Sequence, residues 1–467
     1  TFLEGGAIVP LSSTTGEGLP AFVEEIDRLA QEVEERSSEG LFRLPIDRVF
    51  TIKGFGTVAT GTIISGRVSV GDTLEVLPKG REAKVRGIQA HGKPVESATA
   101  GLRAGINLQG LEKATIDRGN VLALSQTLKA TVALDVIFQL LSGSSKTLKN
   151  RTRIRLHLGT VEVLGRVILL EREEVQAGEE AFLQVRLEEP ITALPGDRFV
   201  VRSYSPVFTI GGGEVLDAFP SRHKRLSTQV KEEMEILHQG SEDEKLRLRL
   251  LKAGPSGLSW PELIMRSNML PSALKSRVDH LASAGQLLRF NGDRLRYLHP
   301  QVIANLKLSC LEYLKKFHQK NPLQPGAVKE EVKTKLPPQM DARLFNHLLS
   351  ALIEEKKIIA EKETLRLAAH TVSLKEEEKD LRKNIILLYA RGKLQPPLVK
   401  EVASELRASE NELKPVLQLL TKEGVLVKVK EDLYFHHQAL AEMEEKLVSY
   451  LKQNKEMSPT QFKEISQ

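Results

Sequence analysis

At 467 residues the chain is too long for one hydrophobic core and is expected to divide into several compact units. Its 41% apolar and 27% charged residues exclude a disordered or fibrous chain, and its single cysteine, Cys310, excludes an internal disulfide or a multi-cysteine metal centre, as in a reducing compartment. A net charge of +6 leans mildly towards polyanionic partners. With no run of eighteen apolar residues and no basic, apolar leader, the expectation is a cytoplasmic protein without a membrane partner.

The first elements are a strand, a loop and a helix start over Ile8-Val9-Pro10-Leu11-Ser12-Ser13-Thr14-Thr15-Gly16-Glu17-Gly18-Leu19, with a helix expected from Pro20 to Arg36. Ser and Thr ahead of a helix are also what an N-cap requires. From there to about residue 220 the chain is rich in Val, Ile, Thr and Gly in short alternating runs such as Thr57-Val58-Ala59-Thr60-Gly61-Thr62 and Thr131-Val132-Ala133-Leu134-Asp135-Val136. Period-two alternation broken by turn residues predicts antiparallel sheet. Gly54 and Gly56 lack the following helix and third glycine of a dinucleotide loop.

After Arg222-His223-Lys224-Arg225 the composition shifts to Leu, Lys, Glu and Ala at helical spacing, and a plan of helix, short helix, helix and two short strands recurs every sixty to seventy residues. In the first unit this predicts helices over Glu242 to Ala253, Trp260 to Arg266 and Ser272 to Ala284, then strands Gln286 to Phe290 and Arg294 to Tyr297 around Asn291-Gly292-Asp293. The second has its third helix over Arg343 to Glu355 and strands Ile358 to Glu361 and Thr364 to Ala368. The third starts near Leu374, with its third helix over Glu410 to Lys422 and a hairpin of Val425 to Val429 and Leu433 to Phe435. Helices at Gln438 to Gln453 and Ser458 to Ile465 open a fourth unit, which is expected to be incomplete. Such a repeat is the winged-helix plan.

The segment Leu44-Pro45-Ile46-Asp47-Arg48-Val49-Phe50, with Lys53-Gly54-Phe55-Gly56-Thr57-Val58-Ala59-Thr60-Gly61 and Gly66-Arg67-Val68-Ser69-Val70-Gly71-Asp72, resembles the second-domain barrel of the elongation factor Tu superfamily. Leu194-Pro195-Gly196-Asp197-Arg198-Phe199-Val200-Val201-Arg202-Ser203-Tyr204-Ser205-Pro206, with Thr209-Ile210-Gly211-Gly212-Gly213 and Asp217, resembles the third-domain barrel of the selenocysteine-specific elongation factor family. The triple glycine fits a bulged strand at a close backbone contact. The resemblance implies a multidomain fold of two antiparallel β-barrels of the translation elongation factor type followed by tandem α+β winged-helix modules. The units would be a C-terminal remnant of a GTPase domain (1–40), barrels at 41–125 and 126–222, winged helices at 228–299, 300–370 and 373–436, and an incomplete one at 437–467.

The same resemblance implies a pocket for the selenocysteinyl side chain built from Asp47, Arg48 and Arg103. A selenol is largely ionised at neutral pH whereas the serine on the precursor tRNA is neutral, so paired arginines would prefer the former, with Asp47 aligning them. Read without the family, these residues equally fit an ion pair at a barrel rim. Ser12 and Ser13 would be what remains of a guanine-contacting loop. Lys393, Lys400, Arg407 and Lys414 could give the third winged helix an RNA-contacting face, although Lys and Glu mixed over 375–455 also describe any solvated helix surface. The implied partners are selenocysteinyl-tRNA, an mRNA hairpin that acts as the selenocysteine insertion element, and the ribosome, met by a monomer. A general tRNA carrier would share the barrels, and a DNA-binding regulator the winged helices.

No G-x-x-x-x-G-K-[ST] run occurs in the sequence, nor do the magnesium-site and guanine-specificity motifs. GTP and Mg would serve the full-length parent, and a truncated start would account for their missing motifs. No metal site, cofactor or hydrolytic constellation is expected of these 467 residues. Titration of this chain with a fluorescent GTP analogue is therefore expected to show no saturable binding, and micromolar saturation would contradict that reading.

Overall fold

The computed structural model describes residues 5–33, 38–52, 56–292, 294–321, 324–370, 376–454, 456–458 and 461–462, with backbone alone for 376–379. Lys53, Gly54 and Phe55 of the glycine motif, Arg36 at the expected end of the first helix, Asp293, Leu374 and most of Ser458 to Ile465 lie outside the described residues. Two compact units divide the chain, Thr1–Pro300 and Gln301–Gln467.

In the first unit, helix α1 (Leu19–Glu32) precedes six strands: β1 (Arg43–Ile52), β2 (Gly56–Thr62), β3 (Thr73–Leu77), β4 (Arg81–Ala90), β5 (Arg103–Gln109) and β6 (Val121–Leu124). They pair antiparallel in the order β3-β6-β1-β2-β5-β4, and pairing of β4 with β3 closes the ring. Alternate residues of these strands, among them Leu44, Ile46, Leu74, Val76, Ile106 and Leu108, fill the interior. A second barrel follows from β7 (Thr131–Leu140), β8 (Arg153–Leu158), β9 (Val161–Leu169), β10 (Glu180–Ile191), β11 (Arg198–Ser203) and β12 (Thr209–Asp217), closed in the order β7-β10-β9-β8-β11-β12. The triple glycine lies on β12, where a Cβ on Gly213 would sit 1.9 Å from the Ile137 carbonyl oxygen and one on Gly211 2.3 Å from that of Gln139. Only glycine lets β7 and β12 come this close.

A charged pair pins the two barrels together. Arg43, at the start of β1, donates from Nη1 to Asp197 Oδ2 at 2.7 Å, with both side chains largely buried. Asp197 Oδ2 also accepts the Leu194 amide at 2.8 Å, so its charge is well solvated by protein.

The segment after the second barrel is strapped back onto it. His223 Nε2 meets the fully buried Asp135 carboxylate at 2.5 Å, Arg225 Nε donates to the Leu169 carbonyl at 2.9 Å, and the Leu226 amide donates to that of Leu170 at 2.7 Å. Helix α2 (Thr228–Gln239), which the winged-helix pattern did not call for, follows this strap. Its Val230, Met234 and Leu237 form one apolar stripe that packs on Ile168, Leu170, Phe182 and Leu216 of the barrel.

The first winged helix consists of α3 (Glu242–Ala253), α4 (Trp260–Ser267), α5 (Pro271–Ser283) and a wing, β13 (Leu288–Asn291) with β14 (Leu295–Leu298). Each element begins and ends within two residues of its expected place. Met265 of α4 enters a cluster with Leu77 and Ala123 of the first barrel, Leu128 of the segment joining the barrels and Leu194 of the second, so it wedges the seam between them. Asn268 adds a hydrogen bond to the Pro195 carbonyl at 2.9 Å. Glu262 binds Lys129 at 3.2 Å and Arg296 at 2.7 Å while accepting the Ser259 amide at 2.9 Å.

The second unit holds two further modules. Helices α6 (Pro300–Lys320), α7 (Lys329–Thr334) and α8 (Ala342–Glu354) precede the hairpin β15 (Ile358–Glu361) and β16 (Thr364–Leu367). Cys310 is fully buried there, as are Leu314, Leu348 and Leu352. Helices α9 (Glu376–Gly392), α10 (Val399–Leu406) and α11 (Glu410–Lys422) precede β17 (Leu426–Lys430) and β18 (Leu433–His436), around a core that includes Tyr389, Val402, Leu413 and Val416. Helix α12 (His437–Asn454) comes next. Among the described residues, no helix is long and apolar enough to cross a membrane.

Two measurements test this packing. Replacing Asp197 with Ala strands the buried Arg43 charge and is expected to lower unfolding free energy by about 3 kcal/mol, read from the urea midpoint. For Glu262, partial burial pushes the carboxyl up, but the Ser259 amide and hydroxyl and the Lys129 charge outweigh it and hold it at about 2. A depressed carboxyl stabilises the fold above its ordinary range near 4.5 and loses that contribution as pH falls towards 2. Glu262→Gln should therefore lower Tm at pH 7, with the gap to the parent protein narrowing in melts below pH 4.5.

Candidate functional site

Strand β1 breaks its own alternation. Leu44 and Ile46 point into the barrel, and the next residue to pack against that core is Val49, not residue 48. The register explains the slip: Ile46 faces Gly61 and Arg48 faces Thr60, so Asp47 is one residue in excess on β1. This β-bulge turns two consecutive polar side chains, Asp47 and Arg48, away from the core, where regular pleating would send Arg48 inward. Gly61 permits it, since a Cβ there would lie 2.2 Å from the Pro45 carbonyl oxygen.

Arg103 opens β5, opposite Thr62 on β2, and reaches across to the bulge. Its guanidinium forks onto Asp47, with Nη1 bonded to Oδ2 and Nη2 to Oδ1 at 3.2 Å. Thr60 on β2 donates from Oγ1 to Asp47 Oδ1 at 2.9 Å and lies 3.2 Å from the Arg48 carbonyl oxygen. Partial burial alone would raise the Asp47 carboxyl, but the hydrogen bonds from Arg103 and Thr60 and the charges of Arg103 and Arg48 hold it below the ordinary carboxylate range. The hydrogen bond and charge of Asp47 raise Arg103 in turn. Arg48 is exposed, and its guanidinium has no hydrogen-bond partner among the described residues.

The structure thus brings Asp47, Arg48 and Arg103 together on one outer face of the first barrel, as a set with one net positive charge. Such a set can take one anionic group: Arg103 is braced by the carboxylate, and Arg48 is left to meet the ligand. Thr60 and Gly61 were not singled out in the sequence. The signal was present in the apolar positions 44, 46 and 49, whose spacing changes from two to three where the bulge lies.

The loop holding Ser12 and Ser13 closes on itself: the Ser12 amide donates to the Glu17 carbonyl at 3.0 Å and the Thr15 amide to Ser12 Oγ at 3.3 Å. The N-cap of α1 is Gly18, so neither serine caps that helix. In the third module Lys393 follows α9, Lys400 lies on α10, Arg407 ends α10 with φ of 50°, and Lys414 lies on α11, all exposed. No hydrogen bond joins these four, and Glu410 and Glu412 occupy the first turn of α11. Among the described residues there is no group of three His, Cys, Asp or Glu arranged for a metal ion.

Three family profiles match parts of the chain: "Elongation factor Tu domain 2" over residues 56–123, "Selenocysteine-specific elongation factor, beta-barrel domain" over 135–222, and "Elongation factor SelB, winged helix" over 311–367. The selenocysteine-specific elongation factor of Desulfomicrobium baculatum is 36% identical over 467 residues, covering 100% of this chain and 74% of that one. The chain belongs to the selenocysteine-specific elongation factor family. The selenocysteine-specific elongation factor of Escherichia coli K12 is 25% identical over 92% of this chain and 66% of its own length. A crystal structure of bacterial selenocysteine-specific elongation factor EF-Sec shares the fold, with a TM-score of 0.61 at 23% identity over 99% of this chain and 71% of that one. Family membership removes the two alternatives left open by the sequence, because neither a general tRNA carrier nor a DNA-binding regulator accounts for both the barrels and the winged helices.

Proposed function

We propose that this chain holds selenocysteinyl-tRNA through its barrels and takes part in GTP-dependent delivery of that tRNA to the ribosome at UGA codons marked by an mRNA hairpin. Asp47, Arg48 and Arg103 form the pocket for the selenocysteinyl side chain. The observation that carries this reading is the bulge that turns Asp47 and Arg48 outward beside Arg103, because it assembles one net positive charge where an ionised selenol needs a counter-charge and a neutral serine does not. A rim ion pair is the alternative, but a pair made for stability alone leaves no reason to turn to the same side a second arginine whose guanidinium makes no hydrogen bond among the described residues.

The remaining parts follow the same proposal. The unit boundaries expected from the sequence assign residues 1–40 to a GTPase domain, within which Ser12 and Ser13 would border the guanine. GTP and magnesium would be held by phosphate-binding motifs that are not in these 467 residues. The modules beyond residue 300 would lead to the mRNA hairpin, with Lys393, Lys400, Arg407 and Lys414 as candidate phosphate contacts, in a monomeric cytoplasmic factor.

Arg103→Ala decides the pocket. One charge-assisted contact contributes roughly 1.5 to 3 kcal/mol, so its loss should narrow the preference for selenocysteinyl-tRNA over seryl-tRNA by about ten- to a hundredfold. Because the Arg103 side chain is 58% exposed, the lower end is expected. Both charged tRNAs must be compared at one salt concentration, since phosphate contacts vary with ionic strength. An equal loss for both tRNAs would make Arg103 a structural or phosphate contact.

A further inference from the structure

Strand β2 lies between the strands that carry the three pocket residues, with β1 on one side and β5 on the other. Thr60 is the β2 residue opposite the bulge, where it pairs with Arg48 across one edge and with Gly105 across the other. Its hydroxyl has one proton and two acceptors within reach, Asp47 Oδ1 at 2.9 Å and the Arg48 carbonyl oxygen at 3.2 Å. The carboxylate is the nearer and the charged acceptor, so the proton goes to Asp47. Asp47 would otherwise be loosely held, because the extra residue of a bulge is left out of the ladder. Its carboxylate has two kinds of partner among the described residues, the guanidinium of Arg103 from β5 and the hydroxyl of Thr60 from β2.

Thr60 is suited to this task in its own conformation. A β-branched side chain has few χ1 choices, and in the one it takes the methyl lies over Gly105 on β5, 3.5 Å from where a Cβ there would stand, while the hydroxyl faces Asp47. The hydroxyl is thereby fixed towards the bulge. Arg103 holds the carboxylate from a long, mostly exposed side chain, whose ordering carries a larger entropy cost than that of Thr60.

We propose that Thr60 is a positioning residue for the selenocysteinyl pocket: its hydroxyl fixes the bulged Asp47 so that the carboxylate braces Arg103 and leaves Arg48 free for the anionic ligand. This rests on the pocket reading given above and adds that discrimination between selenocysteinyl- and seryl-tRNA depends on a neutral residue that need not touch either.

Thr60→Val keeps the branched shape and removes the hydroxyl, and Thr60→Ser keeps the hydroxyl. Affinities for both charged tRNAs at one salt concentration, with Arg103→Ala alongside, form the first measurement. Thr60→Val is expected to narrow the selenocysteinyl preference about five- to tenfold, and Thr60→Ser to stay within about twofold of the parent protein. A second measurement needs no tRNA: titration of the Asp47 carboxyl carbon in the chain labelled at aspartate, assigned with Asp47→Asn. Loss of the Thr60 donor should move that titration up towards the ordinary carboxylate range in Thr60→Val and leave it in place in Thr60→Ser. An Asp47 titration that is unmoved in Thr60→Val overturns the proposal, as does a valine variant whose tRNA preference equals that of the parent. If Arg103→Ala also leaves the preference unchanged, the pocket reading itself falls; if Arg103→Ala narrows it and Thr60→Val does not, only the role of Thr60 is lost.

Discussion

Strand Arg43–Ile52 is constrained at two points. At its first residue Arg43 is tied to Asp197 of the second barrel by a largely buried ion pair, and four residues later the bulge at Asp47 breaks the pleat. The pin matters because removing either partner would leave an unpaired charge out of reach of water, so sliding the barrels apart is costly. With the barrels held, the bulge presents Asp47 and Arg48 at a fixed place on the outer face, and Arg103 on β5 needs only to reach across β2 to meet them. The placement of these three charges is a property of backbone register as much as of side-chain choice.

The alternating runs, the glycine motifs and the recurring helix, helix, helix, hairpin plan were legible because they are local: period and turn chemistry declare themselves within a dozen residues. For the same reason Glu410–Lys422 and Ile358–Glu361 end where the sequence placed them. That Asp47, Arg48 and Arg103 belong together was suggested only by family resemblance, since two arginines and an aspartate spread over more than fifty positions have no spacing of their own. Asp197 against Arg43, and His223 against Asp135, join residues far apart in the chain, and nothing local marks either pair. Helix Thr228–Gln239 carries a clear stripe at Val230, Met234 and Leu237, but the stripe does not say whether it faces the module that follows or the barrel that precedes it. The bulge lies between these cases, written in the spacing of Leu44, Ile46 and Val49 yet readable only once the strand is known.

The winged helices share a plan but not a surface. In the first, Arg277 is paired with Asp243, Arg289 with Asp279 and Arg296 with Glu262, so three cations of its third helix and wing are paired within the module. Its short helix Trp260–Ser267 spends its buried face on the barrels through Met265. That module is built as a bracket. In the third module Lys393, Lys400, Arg407 and Lys414 are all exposed, which is the condition for contact with a phosphate backbone.

The wedge formed by Met265 bears on how such factors could be re-engineered. A barrel that is held only by its own hydrogen bonds can be exchanged for that of a relative with a different amino-acid preference. Here the first barrel contributes Leu77 and Ala123 to a cluster completed by Leu128 of the connecting segment, by Leu194 and by a helix more than a hundred residues further along the chain. A chimera that imports a foreign first barrel would have to bring a seam shaped for that methionine, or the graft would lose the packing that fixes one barrel against the other.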